Sequence, residues 1–281
     1  MAFTYALNTS TIRGQDVPLL DEIAIAAEAG YDSIEPWVKE LDDFVAGGGS
    51  LADVKKCVED NGLTVPNLIG FFAWLSADVA ERGEALDEFK RNLDLARQIG
   101  CTGLACPPKG ITDEPGLDLF WAAEKYAELL DIGREFGVRP ILEFWGMSQS
   151  LGSLGEAVFV VTETGDADAC LLADVFHMYK KGSPFSGLEK LSGEAIGMFH
   201  INDYPDDPPR DVATDADRVY PGDGVAPLVE IFRTLAQIGY DGALSLELFN
   251  KGYYQRDARE VARTGLEKTK AVVEQALAES A

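Results

Sequence analysis

Residues 228–249 read LVEIFRTLAQIGYDGALSLELF: an amphipathic run from Leu228 to Ile238, a glycine at 239, three linking residues, and the apolar stretch Ala243–Phe249. Apolar positions recur at helical spacing as far as Ile238, and Gly239 supplies the left-handed residue that closes a helix. The short apolar run beyond it suits a strand covered on both faces. The phrase repeats. Leu19–Ala29 stops at Gly30, Leu51–Asn61 at Gly62, Ala85–Ile99 at Gly100 and Leu119–Phe136 at Gly137, each followed within one to three residues by a strand-like run. Helix, glycine, strand is the connection of a parallel sheet.

Eight strand candidates follow from this pattern: Phe3–Leu7, Ser33–Pro36, Thr64–Ile69, Gly103–Cys106, Arg139–Phe144, Ala169–Asp174, Met198–Asn202 and Ala243–Phe249. Eight such units in 281 residues predict an α/β fold, one (β/α)8 TIM barrel spanning residues 1–281. A doubly wound open sheet is the competitor, but no Gly-x-Gly-x-x-Gly follows the first strand. Two segments fit the repeat less well. Residues 181–193 leave room only for a short helix, and the Pro- and Asp-rich stretch at about 204–225 is an extended loop after the seventh strand. Long loops that follow strands in this architecture usually build the active site.

Composition narrows the partners. With 48 acidic against 24 basic residues the net charge is −24, which repels nucleic acid and anionic membranes alike. Cys57, Cys101, Cys106 and Cys170 show no C-x-x-C spacing and read as reduced thiols. Met1 to Arg13 lacks the pattern of a signal peptide, and no apolar run approaches the roughly 18 residues of a membrane span. The expectation is a soluble cytoplasmic protein whose partner is a small molecule. The last helix, Asp257–Ala278, either finishes the barrel or offers a surface for a homo-oligomer.

Strands of a parallel barrel all end on one face, so residues distant in sequence converge there. Glu143 in Ile-Leu-Glu-Phe, Asp174 in Leu-Leu-Ala-Asp, His200 in Phe-His-Ile and Glu247 in Ser-Leu-Glu-Leu end four successive strands. Taken singly, such a Glu is an ordinary ion-pair partner and such a His an ordinary core residue. Together they are three carboxylates in apolar runs, and burying them requires compensating positive charge. One divalent metal ion supplies it. The oxygen-rich donor set suits Mn2+ foremost, with Mg2+, Co2+ or Zn2+ as alternatives. The only two histidines, His177 and His200, both fall on this face.

Arg218 lies in Asp-Arg-Val-Tyr-Pro-Gly-Asp-Gly, where the Pro221-Gly222 turn aims it at the barrel mouth, towards substrate or a neighbouring Asp. Glu35 ends the second strand, and Trp37 and Trp145 lead the aromatics, among them Phe71, available to wall a pocket. With His177, these residues are the expected substrate contacts. Lys109 is the one other cation near a strand end, so no phosphate clamp is evident and an uncharged polyol fits better than a sugar phosphate.

At these residues the chain resembles the xylose isomerase-like barrels of the sugar phosphate isomerase/epimerase superfamily. The likeness runs from Tyr31-Asp-Ser-Ile-Glu through Asp174-Val-Phe-His and Phe199-His-Ile-Asn-Asp to Ser245-Leu-Glu-Leu-Phe-Asn-Lys-Gly-Tyr-Tyr. Arg218-Val-Tyr-Pro-Gly and the closing Tyr253-Tyr254 phrase are narrower, and are similar to inosose (2-keto-myo-inositol) isomerases. The resemblance implies Glu143, Asp174, His200 and Glu247 as metal ligands, with Glu143 and Glu247 doubling as catalytic acid and base. It also places His177 and Arg218 where ketohexose epimerases hold substrate.

The implied reaction is isomerisation of a keto-cyclitol or keto-sugar through an enediolate. A ketose 3-epimerase or a 3-keto-glycoside lyase would use the same site. An endonuclease IV-like phosphodiesterase shares the barrel but needs several metals and many histidines, and this chain has two.

Overall fold

The computed structural model describes residues 3–278, so the expected span 1–281 runs past it at both ends. Seven parallel strands are present: β1 (Thr4–Asn8), β2 (Ser33–Glu35), β3 (Gly103–Cys106), β4 (Arg139–Glu143), β5 (Leu171–Asp174), β6 (Ile196–Ile201) and β7 (Ala243–Leu246). They lie in the order β2-β1-β7-β6-β5-β4-β3. The third predicted strand, 64–69, is the piece between the two ends of this order. It makes isolated parallel bridges to both neighbours, Ser33 with Thr64, Trp37 with Ile69 and Leu68 with Leu104.

Its hydrogen bonds close the ring: Ile34 N donates to Thr64 O at 3.0 Å, and Leu68 N to Gly103 O at 3.1 Å. A regular strand is not formed there, because Pro66 has no N–H to give the ladder. The fold is the expected TIM barrel, with one stave reduced to bridges.

Around the ring run α1 (Leu19–Ala29), α2 (Val38–Ala46), α3 (Leu51–Asp60), α4 (Val79–Ile99) and α5 (Leu119–Phe136). They are followed by α6 (Leu154–Glu163), the short α7 (Val175–Lys181), α8 (Leu228–Gln237) and α9 (Ala258–Ala278). The repeat did not mark α2, which fills the connection between Trp37 and Gly47. Residues 185–190 form only a 3-10 turn, as the short spacing there implies. Helix α9 packs against α1 and α8, so its inner face finishes the barrel.

One apolar layer fills the space between helices and strands, including Phe89, Leu93, Phe199, Phe232 and Leu244. A smaller cluster fills the barrel interior: Ala6, Ile69, Ala105, Ile141, Cys170, Leu172, Met198 and Ala243. Side chains alternate along a strand, so the residues two further on share that interior. From Ala6, Ile141, Leu172, Met198 and Ala243 the next inward positions are Asn8, Glu143, Asp174, His200 and Ser245. The polar site is therefore the layer stacked on an apolar plug.

Close approach of the bridging segment depends on Gly103, where an added Cβ would lie 2.7 Å from both Pro66 O and Ile141 Cδ1. Gly103→Ala should cost about 1–3 kcal/mol, the usual range for overpacking. Urea unfolding measures it; an unchanged midpoint would mean that the segment yields freely.

One carboxylate gathers both ends of the long loop after β6, and Lys180 Nζ holds its middle through Arg210 O, Asp211 O and Ala213 O. Asp203 accepts from the backbone N–H groups of Tyr204, Gly222, Gly224 and Ala226 at 2.8–3.0 Å. An antiparallel bridge pairs Asp203 with Val219, and Tyr220 stacks on Tyr253 with ring centroids 4.1 Å apart. These contacts fix the backbone on either side of Arg218.

Candidate metal centre and active site

Four of the site carboxylates, both histidines and Arg218 are buried. Glu35, Glu143, Asp174, Glu247, His177, His200 and Arg218 are each no more than 5% exposed. Donor atoms of Asp174, His200 and Glu247 fall within 4.8 Å of one another, a set able to hold a divalent ion. Glu143, the fourth ligand expected from sequence, stands outside this trio. Its Oε1 accepts from Trp145 Nε1 at 2.9 Å and lies 4.0 Å from His177 Nε2.

Local structure positions each member. Asp174 ends β5 and caps α7, its Oδ1 accepting from His177 N at 2.8 Å, which leaves Oδ2 for the site. Asn202 Nδ2 donates to that Oδ2 at 3.2 Å. His200 points Nε2 at Glu35 Oε1, 3.0 Å away. Its Nδ1 lies 3.2 Å from Glu247 Oε2 and 3.7 Å from Asp174 Oδ2, in a geometry that makes no hydrogen bond. A buried imidazole nitrogen facing two carboxylates without a hydrogen bond is the feature expected of a metal ligand.

Arg218 meets the same carboxylates. Its Nη1 bonds Asp174 Oδ2 at 2.9 Å and Glu247 Oε2 at 2.8 Å, while Nη2 and Nε hold Asp215 Oδ1 at 2.6 and 3.0 Å. Arg218 thus faces the cavity and pairs with a neighbouring Asp. Part of the positive charge expected from a metal therefore comes from this guanidinium.

The charges still do not balance. Burial, the largest influence, pushes the Glu143 carboxyl up to about 8, with Glu247 and Asp174 adding to the shift and His200 opposing it. Burial also raises Asp174, but Arg218, His177 and His200 outweigh it and bring the group down to about 2. His177 is lowered by burial and by Arg218, against Asp174, and is held neutral. His200 is driven well above its ordinary value, since Glu35 and Glu247 outweigh its burial. Arg218 and protonated His200 therefore face Glu35, Asp174, Glu247 and Asp215, while Glu143 keeps a proton. A divalent ion replacing the proton at His200 Nδ1 fits that deficit, so the residues present suit such an ion.

The cavity above the trio has a volume of about 240 Å3. Glu143, His177, Asp215, Arg218 and Glu247 form its polar side, and Trp37, Phe71, Trp145 and Phe249 its aromatic side. Phe71 meets Trp37 and Trp145 edge to face, with centroids 5.4 and 5.6 Å apart. Of the expected substrate contacts, His177, Arg218, Trp37 and Trp145 line this space. Glu35 does not. It is wholly buried among Asn8, Asn67, Ser245 and His200, away from the residues that line the cavity.

Sequence reasoning missed Asn8, Asn67, Asn202, Asp215 and Ser245. Asn8 is the most connected of them: its Nδ2 reaches Glu35 Oε2 at 2.8 Å and Glu247 Oε1 at 3.2 Å, and its Oδ1 accepts from Trp37 Nε1 at 2.9 Å.

The closed parallel ring carries a carboxylate–imidazole trio able to hold a metal at its mouth, and the chain belongs to the xylose isomerase-like TIM barrel family, whose model matches residues 23–272. Among its relatives, an inosose isomerase of Bacillus velezensis is 30% identical, covering 91% of this chain and 92% of that protein. A fructoselysine 3-epimerase of Escherichia coli is 24% identical over 92% of this chain and 95% of its own length. The crystal structure of the IOLI protein with a bound zinc atom superposes with a TM-score of 0.90 at 25% identity, covering 97% of this chain and 99% of that one. No helix among the described residues is long and apolar enough to cross a membrane.

Proposed function

We propose that this protein is a divalent-metal-dependent isomerase of a keto-cyclitol or keto-sugar, of the inosose isomerase kind. The observation that carries the reading is the pairing of Glu143 and Glu247 on one small cavity with the Asp174–His200–Glu247 trio. The likeness to inosose isomerase across nine-tenths of both chains supports the substrate class.

The metal would be held by Asp174, His200 and Glu247, with Glu143 as the fourth ligand once it leaves Trp145. Three carboxylates and one imidazole favour Mn2+, and zinc is the ion in the related IOLI structure. Bound there, the ion would act as a Lewis acid, polarising a carbonyl and its neighbouring hydroxyl and offsetting negative charge that develops on their oxygens.

The remaining work belongs to this chain's own groups. One glutamate removes the proton from the carbon beside the carbonyl; the other, or the same residue, returns a proton to the former carbonyl carbon, while the hydroxyl proton of the first carbon passes to the carbonyl oxygen. Burial raises the Glu143 carboxyl to about 8 in the metal-free site. Such acid–base help contributes about 10²–10⁴-fold. His177 and Arg218 are placed to bind substrate oxygens, and the Trp37–Phe71–Trp145 wall covers an apolar ring face and excludes water. A cavity of about 240 Å3 has room for one six-carbon ring.

Epimerisation of a ketose is the second reading, favoured by the fructoselysine 3-epimerase relative. It uses the same first proton transfer. The test is to incubate the protein with 2-keto-myo-inositol and with ketohexoses in deuterated water and to follow the products by NMR. Deuterium should enter the carbon beside the carbonyl with Mn2+ present and stop entering after chelation, and the product separates isomerase from epimerase. Exchange that survives complete metal removal, or a metal-loaded protein that exchanges none of these compounds, would contradict the proposal.

A further inference from the structure

Glu35 is the one buried carboxylate of the site that touches neither the cavity nor Arg218. Four bonds reach it. Oε1 accepts from Asn67 Nδ2 at 2.7 Å and lies 3.0 Å from His200 Nε2, while Oε2 accepts from Asn8 Nδ2 at 2.8 Å and Ser245 Oγ at 2.6 Å. A carboxylate offers about four lone-pair positions, so this one is saturated. The partners come from β1, the bridging segment, β6 and β7, so closing the barrel assembles the cradle.

The orientation of this network is fixed from outside. Asn8 Oδ1 accepts from Ser10 N at 3.0 Å and Trp37 Nε1 at 2.9 Å, which forces its amide NH2 towards Glu35 and Glu247. Turning Asn67 over would set its carbonyl oxygen against the carboxylate. Glu35 can then act only as an acceptor, and His200 Nε2 must carry a proton towards it. The lone pair of the neutral ring is left on Nδ1, the atom that faces Asp174 and Glu247.

We propose that Glu35 is the positioning residue of the metal centre: it fixes the His200 tautomer and ring plane so that Nδ1, and not Nε2, is the metal-binding atom. The proposal rests on the reading of Asp174, His200 and Glu247 as metal ligands. It adds that the barrel floor, and not the cavity wall, sets the donor strength of the histidine. Asn8 extends the control, since one amide group orients Glu35 and the ligand Glu247 together.

With only two histidines in the chain, the test is direct. In zinc-loaded protein labelled with 15N-histidine, His200 should show a protonated Nε2 and a metal-shifted, unprotonated Nδ1; H177Q assigns the two rings. Glu35→Gln, which removes the charge and turns one acceptor into a donor, should weaken Zn2+ binding about 10–100-fold by titration calorimetry and alter the His200 signals.

The parent spectrum decides the tautomer even should E35Q fail to fold: zinc on Nε2 with a proton on Nδ1 overturns the proposal. Equal zinc affinity and an unchanged His200 spectrum in a folded E35Q also overturn it, while leaving the metal reading intact. A parent protein that binds no Zn2+ overturns the metal reading and this proposal with it.

Discussion

A Glu247→Gln protein should fold, melt within a few degrees of the parent, and lose turnover by at least about 10²–10⁴-fold. The expected fold retention follows from the partners that remain. An amide oxygen in the place of Oε2 still accepts from Arg218 Nη1, and Asn8 Nδ2, which loses its 3.2 Å contact with Oε1, keeps Glu35 Oε2 at 2.8 Å. No buried cation is orphaned. Activity fails for two reasons that act together: an amide neither takes a proton from carbon nor contributes an anionic ligand. Solvent-deuterium exchange and thermal melting measured on one preparation check the two halves separately. Turnover near the parent rate would remove Glu247 from the mechanism, and a collapsed melt would show the residue to be needed for stability instead.

The repeat of helix, glycine and strand made the barrel legible because its period is local. Leu228–Ile238, Gly239 and Ala243–Phe249 declare themselves within 22 residues. The bridging segment shows the limit of that signal: Thr64–Ile69 has the apolar composition of a strand, yet Pro66 removes a ladder donor. The trio was legible for a related reason, since an ionisable residue ending an apolar run is conspicuous. Asn8, Asn67 and Ser245 are not, because a polar residue of that size in a strand is compatible with a core, a turn or a surface. Only ring closure brings Asn8 beside Glu247, 239 positions away. Depth was equally hidden. Glu35 and Glu143 both end strands, but one lies under His200 and the other on the cavity wall.

Replacing Arg218 by Ala should destabilise the metal-free protein by about 3–5 kcal/mol, the usual cost of leaving buried charges uncompensated. Arg218 is 1% exposed and is the only side-chain cation bonded to Asp174 Oδ2 and Glu247 Oε2 among the described residues, apart from the histidines. Its loss also vacates the space between Phe176 and Phe249, whose ring centroids lie 5.0 and 5.3 Å from the guanidinium carbon. The variant should melt on the order of 10 °C lower.

Divalent metal then separates two accounts of the site. Asp174 Oδ1 is committed to the α7 cap, so an ion and Arg218 compete for Oδ2 and for Glu247 Oε2. If the trio binds an ion, Arg218→Ala frees those oxygens, and Mn2+ should stabilise the variant more than the parent, narrowing the gap between their melting points. An ion at about 100 times its dissociation constant adds about 2.7 kcal/mol, most of the predicted loss. If the carboxylates exist only to hold Arg218, Mn2+ leaves the gap as wide as before.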